Sequence, residues 1–172
     1  MTNTTIVEET ITFVKETLRG AEGGHDWFHI QRVFRNSLLI AKDEKQIDII
    51  KIIENISFKS SFEKEQKKFN SLELQVIQDA DRLDAIGAIG IARTFNYGGF
   101  KNRELYNPTI APNLKMTKEE YKKSSAPTIN HFYEKLLLLK DKMNTKTGKK
   151  LAQERHQFML AYLEQFYKEW NP

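Results

Sequence analysis

The chain has 172 residues, of which 40% are hydrophobic and 29% charged, enough for one domain with a sizeable core and too apolar for a disordered segment. It has no cysteine, which excludes a disulfide framework and a thiolate metal site, and no apolar run long enough to cross a membrane. The net charge of +4 suits an anionic ligand but is too mild to imply nucleic acid. The N-terminal residues lack a basic segment followed by an apolar core, so no signal peptide is expected and a cytoplasmic location is the default.

Thr5-x-x-Glu8 has the pattern of a capping box, and Val7, Ile11, Val14 and Leu18 then form one apolar stripe that Gly20 and Gly23-Gly24 end. Asp26 is a good N-cap for a second helix, with Ile30, Val33, Phe34, Leu38 and Ala41 as its expected buried face. His29 borders that face. It is either a half-buried histidine satisfied at the edge of the core or a metal ligand. His25 is read as a loop or capping residue. Residues 47–56 carry six isoleucines and fit a buried helix better than a strand, and residues 57–70 read as an exposed loop or short helix.

Ser71 caps the next predicted helix, with Glu73 in its first turn. Leu72, Val76, Ala80 and Leu83 make its apolar stripe. Asp81 and Asp84, three apart, share a face, while Asp79 points elsewhere. Ala85, Gly87, Ala88, Gly90 and Ala92 make the following stretch unusually small, and glycines in a helix have a packing or ligand-access reason. Residues 96–114 are turn-rich and read as a binding loop or lid. Thr117-x-x-Glu120 caps a short helix. Pro127 opens an amphipathic helix lined by Ile129, Phe132, Tyr133, Leu136, Leu137, Lys140 and Met143. Gly148 separates it from a last helix whose apolar face holds Leu151, Arg155, Phe158, Met159, Tyr162, Leu163 and Phe166. Every strong periodicity is helical, so a single all-α domain is expected.

For chemistry, His29 and Asp81 stand out. They lie on separate helices, each beside a core face. Imidazole nitrogen with carboxylate oxygen suits Mn²⁺, Fe²⁺, Zn²⁺ or Ni²⁺ better than Ca²⁺. A catalytic metal takes three or more protein ligands, so two are not a complete site, and plain Asp–His hydrogen bonding is the alternative. There is no Gly-x-Ser-x-Gly elbow, Walker loop or His-Glu-x-x-His.

His25-Asp26-Trp27-x-His29-Ile30-x-Arg32-Val33, together with the run from Gln78-Asp79-Ala80-Asp81-Arg82-Leu83-Asp84 to Gly90, resembles the bacterial HD-domain phosphohydrolases, in particular small dNTP pyrophosphohydrolase-like proteins. The likeness extends through Ile53 to Lys59, Tyr97-Gly98-Gly99, and Pro127 to Thr145. It implies a single helical HD-like bundle over residues 1–172 with a divalent metal, Mn, Mg, Ni or Fe, held by His29 and Asp81. It also implies a nucleotide or related phosphate ester as the small-molecule partner. Beside these, Asp84 is a candidate catalytic residue orienting a metal-bound water, or else a salt-bridge partner of Arg82 or a lysine. Arg93, Lys135 and Lys140 are candidate substrate-binding cations, or solvated surface charges. His131 and His156 are read as packing or surface residues. No membrane and no nucleic-acid partner is expected, and a homodimer is compatible with the family.

One departure matters. The family pattern has a central His-Asp doublet on a further helix, yet no histidine occurs between Val33 and Gln78. The resemblance breaks off near Lys42-Asp43-Glu44 and resumes near Asp48, so a segment is missing near residues 44–48. A working enzyme and a degenerate HD protein that binds nucleotide or a partner without catalysis are therefore both open. A basic helical nucleic-acid binder, resting only on a pI of about 9.1, is the third reading.

Overall fold

The computed structural model describes residues 3–21, 24–44 and 71–171, and every described element is helical. The isoleucine-rich segment and the loop expected after it lie outside these residues. No helix among the described residues is long and apolar enough to cross a membrane.

Helix α1 (Asn3–Thr17) starts before Thr5, so Thr5 is not its N-cap as the capping-box pattern suggested. None of its described side chains, from Val7 onward, is buried, and Val7 is exposed. Gly20, at φ +83°, turns the chain after it. Lys15 Nζ lies 5.0 Å from the Trp27 ring centre at the start of α2 (Trp27–Asp43). The Asp26 carboxylate caps α2 as expected, accepting from the His29 amide at 2.9 Å. The buried face of α2 differs from the expected one. His29, Ser37 and Ile40 are buried, while Ile30, Phe34 and Leu38 are exposed. The reason is polar. The helix turns His29, Arg32 and Asn36 toward α3 (Leu72–Asp84), where Asp84 and the Ala80 carbonyl receive them.

Ser71 caps α3 by accepting from the Leu74 amide, and Val76, Ala80 and Leu83 enter the core as their spacing predicts. The small-residue run does not continue that helix. The chain breaks at Ala85-Ile86 and restarts as α4 (Gly87–Phe100). Gly87 sits at φ +74°, where a side chain is strained, and a Cβ there would meet the Arg155 side chain at 3.0–3.2 Å. A Cβ on Gly90 would lie 2.3 Å from the Ala85 carbonyl oxygen. The glycines thus permit a tight corner between two helices. Tyr97-Gly98-Gly99 is the last turn of α4 and not a loop.

Beyond α4 the loop reaches α5 (Lys118–Lys123), where Thr117 and Glu120 form the reciprocal capping box, at 2.7 and 3.2 Å. The predicted helix from Pro127 to Met143 is in fact two pieces, α6 (Asn130–Glu134) and a 3₁₀ helix (Leu136–Lys142), broken at Lys135. Pro127 precedes the helix and its carbonyl accepts from Asn130. The tighter repeat buries Leu136 and Leu139, three residues apart. The last helix, α7 (Lys146–Trp170), includes Gly148 in its first turn instead of following it. Its inner face carries Ala152, His156, Met159 and Leu163, and Phe158 is exposed. Tyr106 ties the long loop to this helix, its ring centre 5.2 Å from Trp170 and 5.3 Å from Tyr167.

Two carboxylates hold the start of α7. Glu44, just past α2, accepts from the Thr147 amide at 2.7 Å. Asp79 accepts from the Asn144 and Thr145 amides and the Thr145 hydroxyl at 2.8–3.0 Å, with Arg82 at 3.2 Å. Acidic groups at a helix N-terminus meet unpaired amides and the positive end of the dipole. A Cβ on Gly148 would stand 2.4 Å from Asp79 Oδ2, so this glycine admits the buried carboxylate.

Candidate functional site

The site forms where α2, α3 and α4 meet. Asp84 ends α3 with its side chain 2% exposed. His29 Nδ1 lies 2.7 Å from its Oδ2, Arg32 Nε lies 2.6 Å from its Oδ1, and Arg93 donates to Oδ2 at 2.6 Å and to the Asp84 carbonyl at 3.1 Å. Arg93 also donates to the Gly24 carbonyl, drawing in the chain just before α2. Burial pushes the Asp84 carboxyl upward. The hydrogen bonds from His29 and Arg32 and the charges of Arg32 and Arg93 outweigh it and hold the group at about 2.

An ionised carboxylate only accepts, so the proton on that edge of the imidazole belongs to His29 Nδ1. In a neutral ring with that tautomer the lone pair is on the opposite nitrogen, Nε2, which faces Asp81 Oδ1 at 3.5 Å. Asp81 is 64% exposed, so this pair opens to solvent. Two electron-rich atoms facing each other ask for a cation. Ligands about 2.0–2.2 Å from one metal stand roughly 3.0–3.5 Å apart when adjacent in its shell. His29 and Asp81 therefore fit one edge of a coordination polyhedron. A histidine whose second nitrogen is anchored on a buried carboxylate is the usual setting of a metal-binding imidazole. The donor set is nevertheless short: among the described residues no group of three or more His, Cys, Asp or Glu side chains gathers to hold a metal.

A cavity of about 330 Å³ lies on the His25 and Arg93 side of this pair, and neither His29 nor Asp81 lines it. His25, Arg93 and Lys135 line its near part, and the His25 ring lies 5.8 Å from that of His29. Partial desolvation lowers the Lys135 ammonium pKa, while the charge of Asp81 pulls it back up. Tyr97, Gly98, Arg103, Thr128, His131 and the Glu134 carboxylate are among the other residues that line it. Desolvation, helped by the charges of Lys135 and Arg103, pushes His131 down to about 4 and leaves it neutral at pH 7.

The structure thus brings His29, Asp81, Asp84, Arg93 and Lys135 to one place. Asp84 is joined to His29 and two arginines rather than to Arg82, which pairs with Asp79. Lys140 is elsewhere: it pairs with Asp141 at 3.2 Å and does not line the cavity. Sequence reasoning passed over Arg32, which lies one turn from His29 and so was findable from its spacing. It also passed over Arg103, Thr128 and the cavity role of His131. For these no local signal existed, because they reach the site only through the fold of residues 101–131.

Comparison with known proteins follows the same lines. No protein-family model matches the chain. YpgQ of Bacillus subtilis, an uncharacterized protein, is 32% identical over an alignment of 206 residues covering 94% of this chain and 92% of YpgQ. That span exceeds the 172 residues of this chain, so YpgQ carries residues inside it that have no counterpart here. A crystal structure of a Lactobacillus plantarum protein is 39% identical with a TM-score of 0.75, covering 99% of this chain and 98% of that one. An HD-superfamily hydrolase from Bacillus thuringiensis is 38% identical with a TM-score of 0.70 and 99% of both chains covered. YpgQ crystallised in complex with ADP is 31% identical with a TM-score of 0.64, over 94% of this chain and 96% of that one. The chain belongs to the family of YpgQ, on the all-helical fold of the HD superfamily.

Proposed function

We propose that this protein is a metal-dependent phosphohydrolase of the HD type acting on a nucleotide or related phosphate ester, with dNTP pyrophosphohydrolase as the most specific form of the reading. The observation that carries it is the His29–Asp81 pair, backed by buried Asp84, with a cavity nearby that Arg93, Arg103 and Lys135 line together with Glu134. The ADP complex of YpgQ supports the nucleotide part. His29 Nε2 and Asp81 would hold a divalent ion, Mn²⁺, Mg²⁺, Ni²⁺ or Fe²⁺. When bound, such an ion supplies Lewis-acid charge and lowers the pKa of a coordinated water.

The chain's own residues do the rest. Asp84 fixes the tautomer and direction of His29 and is a positioning residue. Arg93 holds Asp84 and the Gly24 turn together while presenting positive charge to the cavity. Lys135 adds a second cation where phosphate oxygens would lie. Lys140, tied to Asp141 away from the cavity, is not part of this reading. A cytoplasmic setting and a homodimer complete it, the latter to be read from solution mass.

The degenerate reading has its own support in the two-ligand donor set among the described residues and in the missing doublet. One experiment separates the two. Purified protein is incubated with Mn²⁺ and a panel of nucleoside triphosphates, and products are resolved by chromatography. Hydrolysis lost in His29→Ala and Asp81→Ala supports the enzyme. ADP binding without turnover of any nucleotide, and no metal by elemental analysis, supports the degenerate protein.

A further inference from the structure

Glu134 is the one carboxylate among the described residues that line the cavity, where Arg93, Arg103 and Lys135 supply positive charge. It ends α6 and is half-buried. Its Oε1 accepts from the Asn113 amide at 3.0 Å, which ties the long loop to α6, and Oε2 accepts no hydrogen bond among the described residues. The loop does not need the charge, since a neutral glutamine also accepts from an amide. In a cavity that takes phosphate, a carboxylate costs affinity by like-charge repulsion. Its presence there asks for a ligand group that favours it. An ionised carboxylate only accepts, so that group is a hydrogen-bond donor.

Position says which donor. In an unbroken helix neighbouring side chains point about 100° apart. Here the helix breaks at Lys135, at φ −143° and ψ −56°, and both Glu134 and Lys135 line one cavity. Their Cα atoms stand about 3.8 Å apart across one peptide bond. Lys135 is the cation assigned above to phosphate oxygens, and it feels the charge of Asp81. In a nucleotide the sugar is bonded directly to the phosphate, and the base lies one sugar farther off. The donor that meets a carboxylate beside the phosphate end is therefore a sugar hydroxyl.

We infer that Glu134 is a specificity-determining residue whose carboxylate accepts a hydrogen bond from a sugar hydroxyl of the bound nucleotide. This rests on the nucleotide reading above. The same charge repels phosphate from that spot, so one side chain sets the direction in which the nucleotide lies.

The test is calorimetric titration of the full chain with ADP, with 2′,3′-dideoxy-ADP, which lacks the sugar hydroxyls, and with inorganic pyrophosphate, together with thermal unfolding of the ligand-free protein. Glu134→Gln keeps an acceptor for the Asn113 amide and removes the charge. It is expected to weaken ADP binding about tenfold, the loss of a charge-assisted hydrogen bond. Dideoxy-ADP should bind the variant no more weakly than the wild type, pyrophosphate equally or more tightly, and the melting temperature should stay unchanged. Unchanged or tighter ADP binding in Glu134→Gln overturns the inference alone. So does a loss for dideoxy-ADP as large as for ADP, which assigns the carboxylate to the base. A lowered melting temperature with all three ligands weakened also overturns it and leaves Glu134 as a support of the loop. Absence of ADP binding by the wild type overturns the nucleotide reading and this inference with it.

Discussion

Helix α3 carries two buried carboxylates five residues apart, and they serve different ends. Asp79 receives amides, a hydroxyl and Arg82 at the start of α7. Asp84 receives a histidine and two arginines where α2, α3 and α4 converge. The donors around Asp79 face inward and are used up, so that knot joins two helices and does no more. The histidine on Asp84 has a second nitrogen, which points outward at exposed Asp81. Burial and saturation are alike in the two knots. The difference is that one donor at Asp84 is bifunctional and reaches solvent.

The comparison can be broken by removing each carboxylate in turn. Asp84→Ala leaves two arginines and a histidine around an empty site. It is expected to cost about 3–5 kcal/mol, the effect of unpairing buried charges, and to lower the melting temperature by roughly 6–20 °C. Asp79→Ala strands mainly neutral donors and should cost less, about 2–3 kcal/mol in urea unfolding. If Asp79→Ala proved the more damaging, the joint at α7 and not the three-helix knot would be the main support of the fold.

Acid sharpens the contrast. His131 is depressed to about 4 from 6.5, so between these values the unfolded chain binds a proton that the folded chain refuses. Stability should fall as pH drops from 6.5 toward 4, and His131→Gln should flatten that slope in a pH series of unfolding curves. Asp84, depressed from 3.8 to about 2, adds stability that is complete above 3.8 and lost as pH falls through about 2. That second loss should persist in His131→Gln.

The smallest effects on stability fall on the exposed groups. Asp81→Ala should change stability by less than about 0.5 kcal/mol while weakening Mn²⁺ binding at least tenfold by calorimetry. Lys140→Ala should change neither stability nor nucleotide binding beyond about 0.5 kcal/mol, since it pairs only with neighbouring Asp141 among the described residues. A clear loss of nucleotide affinity in Lys140→Ala would return that lysine to the site.

What was legible in the sequence follows from local physics. The all-helical class came from the apolar periodicity. The caps at Asp26, Ser71 and Thr117 came from side chains that reach amides two or three residues on. The common face of Asp81 and Asp84, and the divergence of Asp79, came from helical geometry alone. His29 and Asp81 were singled out by residue type and by resemblance. Their closeness, and the burial of Asp84 against Arg32 and Arg93, needed α2 laid against α3, which no local spacing specifies. The same holds for the corner at Gly87, where Arg155 from a distant helix sets the space available, and for the break at Lys135, where core packing favoured a tighter helix. Thr128 is the plainest case. Its sequence neighbourhood has no motif, and only the pairing of its backbone with Glu104 and its seat on Gly98 turn an ordinary threonine into the wall of a cavity. Sequence determines contacts within a turn or two, because the chain itself enforces those distances. Contacts between residues far apart in the chain, such as His29 with Asp84, exist only once the core has fixed where each helix lies.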